Sequence, residues 1–236
     1  MVEFFLNNKK VVAKDDETIW AVAKREGITL PHLCFADKPG YRADGNCRAC
    51  MVSIEGERVL AASCIRKPTE GMKVLTNDER SIKSRKMVLE LLVTDQPDRE
   101  TSHDPDSHFW KIASDIDVEK SRFEKREKKI VPCEDSSHVA MSVNLDACIH
   151  CNLCVRACRE VQVNDVIGMG NRGHHSKVVF DFNDPMGDSS CVSCGECVQA
   201  CPTGALMESN LLDDNGTNNA KPCLLYTSPS PRDAYV

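Results

Sequence analysis

Two apolar-rich runs with β-forming residues, Val2–Leu6 and Lys9–Ala13, read as the strands of a hairpin. Asn7-Asn8 between them supplies the turn. Helical spacing follows. Over residues 18–27, Ile19, Val22 and Ala23 share one helical face behind Thr18, and Gly27 stops the helix. Three short β-rich runs follow at Met51–Ile54, 58–61 and 72–75. Helical spacing returns at 80–93, where Ile82, Met87, Val88, Leu91 and Leu92 form a stripe suited to packing. Ser107 is placed to cap a second helix carrying Phe109, Trp110, Ile112 and Ile116. Residues 119–129 alternate in charge and read as a solvated helix face, while Pro97, Pro105 and the Asp-rich stretch around them mark loops.

Cysteine spacing adds chemistry to this outline. Thirteen of the fourteen cysteines lie in the first 201 residues, and eight of them write one pattern twice. Cys148-x2-Cys151-x2-Cys154-x3-Cys158 is followed by Cys191-x2-Cys194-x2-Cys197-x3-Cys201-Pro202. This is the bacterial ferredoxin spacing for a pair of [4Fe–4S] cubanes, in which the fourth cysteine of each run ligates the other cluster. Three cysteines two residues apart wrap three corners of a cube, so the fourth corner comes from elsewhere in the chain. The expected sets are Cys148, Cys151, Cys154 and Cys201 for the first cubane, and Cys191, Cys194, Cys197 and Cys158 for the second. Zinc knuckles are the competing reading, but a tetrahedral zinc site does not explain the duplicated run ending in Cys-Pro.

A different set precedes these. Cys34-x12-Cys47-x2-Cys50-x13-Cys64 has the four thiolates of a [2Fe–2S] centre, although its spacing is not the plant-type run. Strand, strand, helix, cysteine loop and strands is the order of a small β-grasp ferredoxin module. Gly40, Gly45 and Asn46 sit where a loop has to fold around inorganic sulfide with its N–H groups turned inward. A zinc ribbon competes here too, and the long first gap argues against it.

The expected fold is therefore α+β: a β-grasp [2Fe–2S] domain over 1–78, a helical, polar connector over 79–139, and a two-cubane ferredoxin domain over 140–212. Aromatic content of 5% and charge of 28% imply modest cores, so metal contributes to folding. A net charge of −6 without a basic, aromatic-interleaved stripe argues against nucleic-acid binding. No 18-residue apolar run or export signal is visible, and many cysteines at cluster spacing point to the reducing cytoplasm.

Residues 223–236 read differently from the rest. CLLYTSPSPRD, residues 223–233, is also the translation of one frame of a common transposase sequencing adapter. Adapter read-through is expected there, with 213–222 as a linker towards a part of the protein not in this sequence.

The order of the cluster modules resembles that in three related protein groups. They are the N-terminal part of the complex I large subunit, the diaphorase-linked subunits of NAD-reducing and iron-only hydrogenases, and the alpha subunit of cytoplasmic molybdenum or tungsten formate dehydrogenases. The run from Val143 through the first cysteine motif to Arg159, Glu160 and the following VQVNDVIG is similar to the formate dehydrogenase version. So is VSCGECVQACPTGAL from Val192 to Leu206. The likeness spans about residues 1–222 and is strongest over 138–208. It implies an electron-transfer module, a flavin- and NAD-binding diaphorase-type subunit or a ferredoxin as partner, and a bis-pterin guanine dinucleotide Mo or W centre beyond the visible chain. The electron-transfer subunit of a hydrogenase or a complex I-like NADH dehydrogenase is the alternative.

One departure stands out. Many relatives hold an extra cubane in the connector through His-x3-Cys-x2-Cys-x5-Cys. Here His103 is followed at that spacing by Ser107, and no cysteine lies between Cys64 and Cys133. That cluster is expected to be absent, with His103 and His108 as loop or capping residues. Cys133 reads as a small buried side chain, and His174-His175 as a polar hairpin tip. With no hydride, nucleophile or acid–base constellation visible, the inventory describes a wire rather than a reaction chamber. Arg159, Arg172 and Lys177 are candidates for tuning the cubanes.

Overall fold

The computed structural model describes residues 1–118, 120–125 and 134–218. Strands β1 (Val2–Leu6) and β2 (Lys9–Ala13) pair antiparallel, with Leu6 opposite Lys9. Asn7 (φ 50°) and Asn8 (φ 68°) both adopt the left-handed conformation, as a two-residue turn matched to strand twist requires. Helix α1 (Ile19–Arg25) starts at Thr18, whose hydroxyl accepts from the Ala21 N–H, and buries Ile19, Trp20, Val22 and Ala23. Strands β3 (Met51–Ile54), β4 (Ala61–Ala62) and β5 (Lys73–Leu75) complete a five-stranded sheet of order β2-β1-β5-β3-β4. β1 and β5 run parallel. The strand expected over 58–61 is thus only the pair Ala61–Ala62, because Arg58 and Val59 turn to solvent before pairing begins.

Helix α2 (Glu79–Asp95) is capped by Asp78. Its buried side is not the expected stripe. Ser81, Leu89 and Val93 face inward, whereas Ile82 and Leu91 are exposed. The register is set by Arg85, between them at i+4 spacing, which donates to the Met51 and Thr76 carbonyls at the sheet. Helix α3 (His108–Asp115) begins at Ser107, whose Oγ accepts from the Trp110 N–H. Phe109, Trp110, Ile112 and Ala113 are buried with Leu89, Val93, Leu33 and Ala49. The charged stretch 119–129 is not helical over its described residues 120–125, and its remainder lies outside the described residues, as do Cys133 and residues 219–236.

The last third is closed at its base by β6 (Met141–Val143) pairing antiparallel with β9 (Leu206–Glu208). Two short helices, α4 (Leu153–Arg156) and α5 (Glu196–Ala200), lie within the two cysteine runs, and α4 continues as a π-helical turn over Ala157–Val161. Between the runs, β7 (Ile167–Gly170) and β8 (Lys177–Phe180) form a hairpin whose turn holds His174 and His175.

Candidate iron–sulfur centres

The first four cysteines converge from three places: the loop after α1, the turn before β3, and the residues after β4. Cys34, Cys50 and Cys64 are buried, and Cys47 is half-buried. The thiol of Cys34 is within hydrogen-bonding reach of those of Cys47 and Cys64, and Cys64 also reaches Cys50. The Cys47 N–H donates to Cys34 Sγ at 3.4 Å. The turn is held open by Arg48 (φ 58°), and Ser63 Oγ ties the two sides by donating to the Cys50 carbonyl at 2.7 Å. Four acidic groups in one volume do not ionise together. The thiols of Cys47 and Cys64 hold Cys34 far below the usual thiol range, and Cys64 does the same for Cys50. Those donors are pushed up in turn. A cationic iron core, if these four cysteines held one, would supply the charge that deprotonates them all.

The two later runs fold as copies. His150 (φ 52°) and Asn152 (φ 62°) flank Cys151, and Ser193 (φ 61°) and Gly195 (φ 75°) flank Cys194 at the matching positions. In each copy the second left-handed residue starts a short helix. The His150 N–H donates to Cys148 Sγ at 3.4 Å, and the Ser193 N–H to Cys191 Sγ at the same distance. Left-handed residues at these intervals turn successive N–H groups towards one point, a nest for an anionic group. Holding three non-glycine residues there costs about 1–2 kcal/mol each, so a repeated pattern has a reason outside the backbone itself.

Two cavities lie at these nests. One is lined by Cys148, Cys151, Cys154 and Cys201. The other is lined by Cys158, Cys191, Cys194 and Cys197. Cys158 accepts from the Val166 N–H at 3.3 Å. Burial pushes the Cys148 thiol up to about 11 and Cys197 up to about 12, and raises Cys151 and Cys154 further. Cavities that converge four cysteines each, with burial holding Cys148, Cys151, Cys154 and Cys197 protonated, fit a group that brings its own positive charge.

The candidate tuning residues lie off these cavities. Arg159 turns to Asp165 at the surface, Arg172 is exposed, and Lys177 is half-buried in β8. His103 is buried, with Nδ1 at 3.1 Å from the Gly204 carbonyl and Nε2 at 3.2 Å from Glu134. His108 Nε2 meets the His32 carbonyl at 3.0 Å. Three residues that sequence reasoning misses sit closer to the cysteines. Arg156, in the gap between Cys154 and Cys158, is fully buried, and Asp44 pairs with it. Tyr41 reaches from the first cysteine loop to Glu196, beside Cys197. The available sign is a cation placed inside a cysteine run; its partners are not readable.

Comparison with known proteins agrees with this arrangement. Residues 1–79 match the 2Fe-2S iron-sulfur cluster binding domain family, and residues 147–205 the 4Fe-4S dicluster domain family. The NADP-reducing hydrogenase subunit HndD of Solidesulfovibrio fructosivorans is 30% identical over 99% of this chain and 41% of its own length. A Staphylococcus haemolyticus protein named "Putative formate dehydrogenase" is 29% identical over 82% of the chain and 19% of its own. An NADH-quinone oxidoreductase subunit of Rhizobium meliloti is 30% identical over 88% of the chain and 24% of its own. The chain thus spans less than half the length of these relatives. A crystal structure of an NAD+-reducing [NiFe]-hydrogenase in the H2-reduced state contains a chain with the same fold, at TM-score 0.76 and 24% identity, covering 88% of this chain and 87% of that one.

Proposed function

We propose that this chain, an iron–sulfur electron-transfer module related to formate dehydrogenases, the complex I large subunit and NAD-reducing hydrogenase subunits, is the electron-carrying front of a formate dehydrogenase alpha subunit. Cys34, Cys47, Cys50 and Cys64 hold its [2Fe–2S] cluster. Cys148, Cys151, Cys154 and Cys201 hold one cubane, and Cys191, Cys194, Cys197 and Cys158 the other. The observation that carries this is the pair of cavities, each lined by three cysteines of one run and the fourth of the other.

When bound, these clusters would supply one-electron uptake and release, at potentials set by the hydrogen bonds and burial around each. The chain's own part is placement. Cys34 lies close enough to Cys151, and Cys154 to Cys197, for their charges to interact. That supports a relay from the [2Fe–2S] centre through the first cubane to the second. Residues 1–78, 79–139 and 140–212 act as the three units of the relay, and 213–222 leads to a Mo- or W-pterin part that lies outside this sequence. Electrons from formate leave singly towards a flavin- and NAD-linked subunit or a ferredoxin. Thiolates kept for iron favour a cytoplasmic setting.

Anaerobic reconstitution tests the cluster inventory: about ten irons per chain, with matching acid-labile sulfide, are expected. Stoichiometric zinc with no paramagnetic signal on reduction would overturn it. A second reading, a hydrogenase subunit, is favoured by the match of nearly the whole chain to HndD. The intact reading frame decides between them. A long pterin-binding region after residue 222 supports formate oxidation, and a hydrogenase domain there refutes it.

A further inference from the structure

A single guanidinium joins two of these sites. Arg156 exposes 3% of its side chain. Its Nη2 donates to the carbonyl of Cys34 at 2.6 Å and to that of Cys151 at 3.3 Å. Nη1 donates to the Arg42 carbonyl, and Nε lies 3.3 Å from the Asn152 carbonyl and 3.2 Å from Asp44 Oδ2. One nitrogen therefore binds the backbones of two cysteines that belong to different centres. The carbonyls of Cys34 and Cys151 can be no farther apart than two hydrogen bonds placed end to end.

Burying a guanidinium costs several kcal/mol unless its donors are satisfied and an opposite charge is near. Here the donors end on four carbonyls, all of them in the two cysteine loops. The one carboxylate in contact, Asp44, is shared with Arg42, which also pairs with Glu160 at the surface. Lysine would keep the charge between the two loops but not the directed fork to Cys34, Arg42 and Asp44.

We propose that Arg156 is a positioning residue for the electron relay: it locks the first cysteine loop onto the first cubane loop, and its charge favours the reduced form of both centres. This rests on the ligand sets proposed above. Each centre gains one electron from an external reductant without bond formation, so its negative charge grows by one. A buried cation between the two stabilises that added charge.

The test is a dithionite redox titration of the full chain, reconstituted anaerobically and followed by electron paramagnetic resonance. Arg156→Gln should make reduction of the [2Fe–2S] centre and the first cubane about tenfold less favourable, a shift of about 59 mV to lower potential for a one-electron couple. Asp44→Asn, which leaves the cation unpaired, should shift both the opposite way. Arg156→Lys should hold both within about twofold of the unaltered chain, a range well under that 59 mV step. Loosened packing alone gives no such pair of opposite signs. If Arg156→Gln does not fold, Asp44→Asn still decides, because unchanged potentials there overturn the inference. Full iron content with static potentials refutes the role of Arg156 alone. An unaltered chain that takes up no iron refutes the ligand sets, and this inference with them.

Discussion

The hydroxyl of Tyr41 donates to Glu196 Oε1 at 2.8 Å, across 155 positions of sequence. Tyr41 belongs to the first cysteine loop, and Glu196 opens α5 beside Cys197. Burial and the Glu196 carboxylate keep the phenol protonated far above its usual range, so it stays a donor. A Cβ added at Gly40 would lie 3.6 Å from Val161 Cγ2 at the same seam, where Arg42 pairs with Glu160. The first cysteine loop is therefore a wall of the second ferredoxin unit as well as part of its own.

Tyr41→Phe keeps the buried ring and removes the hydrogen bond. A bond to a charged acceptor contributes about 1.5–3 kcal/mol, so local opening of residues 34–47 should be favoured by about 2 kcal/mol. Native-state hydrogen exchange on the reconstituted protein reads this directly. Unchanged protection in that loop would mean that the contact contributes nothing.

Crossed ligation predicts a specific pattern of iron loss. Cys201→Ser should remove about four irons and leave the [2Fe–2S] signal. Adding Cys148→Ser should remove no more, because both residues wall one cavity. Adding Cys191→Ser instead should remove about four further irons, since that residue walls the other. Uncrossed sites would give the reverse, and iron analysis of the two double variants separates the cases.

Gly204→Ala meets two obstacles. The backbone has φ +72°, and an added Cβ would lie 2.5 Å from the Asp104 Cβ. The left-handed conformation costs about 1–2 kcal/mol and overpacking about 1–3, so a loss of about 2–5 kcal/mol is expected. The damage falls where His103 binds the Gly204 carbonyl and where the Phe109 N–H donates to the Pro202 carbonyl. A urea midpoint equal to that of the unaltered chain would show that the connector is free to move aside.

Acid should weaken the seam between α3 and the first domain. His108 and His32 meet edge to face with ring centroids 5.1 Å apart, and burial lowers both below the ordinary histidine value, helped for His32 by the neighbouring His108 ring. A folded pKa lower than the unfolded one means that the unfolded chain binds more protons in between. The stabilisation is thus complete above about pH 6.5 and is lost as pH falls from there towards the folded values. Urea midpoints between pH 7.5 and 5.5 should decline less steeply in His108→Gln than in the unaltered chain. Parallel slopes would remove His108 from the account.

Much of this protein is legible along the chain because its signals are local. The β-rich run Val2–Leu6, the Asn7-Asn8 turn and the Thr18 and Ser107 caps depend only on neighbours a few residues away, and the structure places each there. The inward side of α2 is not legible, because hydrophobic spacing alone points to Ile82 and Leu91. Arg85, hydrogen-bonded to two strand carbonyls, rotates the helix otherwise. The tip of the β7–β8 hairpin is legible at His174-His175, but its strands are not, since Gly168 and Gly170 weaken the β character of the first.

Sequence by itself determined the chemistry: twelve cysteines at intervals that suit iron clusters, together with the duplicated turns that present them, since loop geometry around a cluster is written within ten residues. Only tertiary structure decided how those sites are joined. Arg156, Tyr41 and Glu196 are single polar residues whose partners lie up to 155 positions away, and no periodicity records such a pairing. Hydrophobic patterning specifies which face is buried. Where a buried charge finds its acceptors depends on which loops the fold brings together.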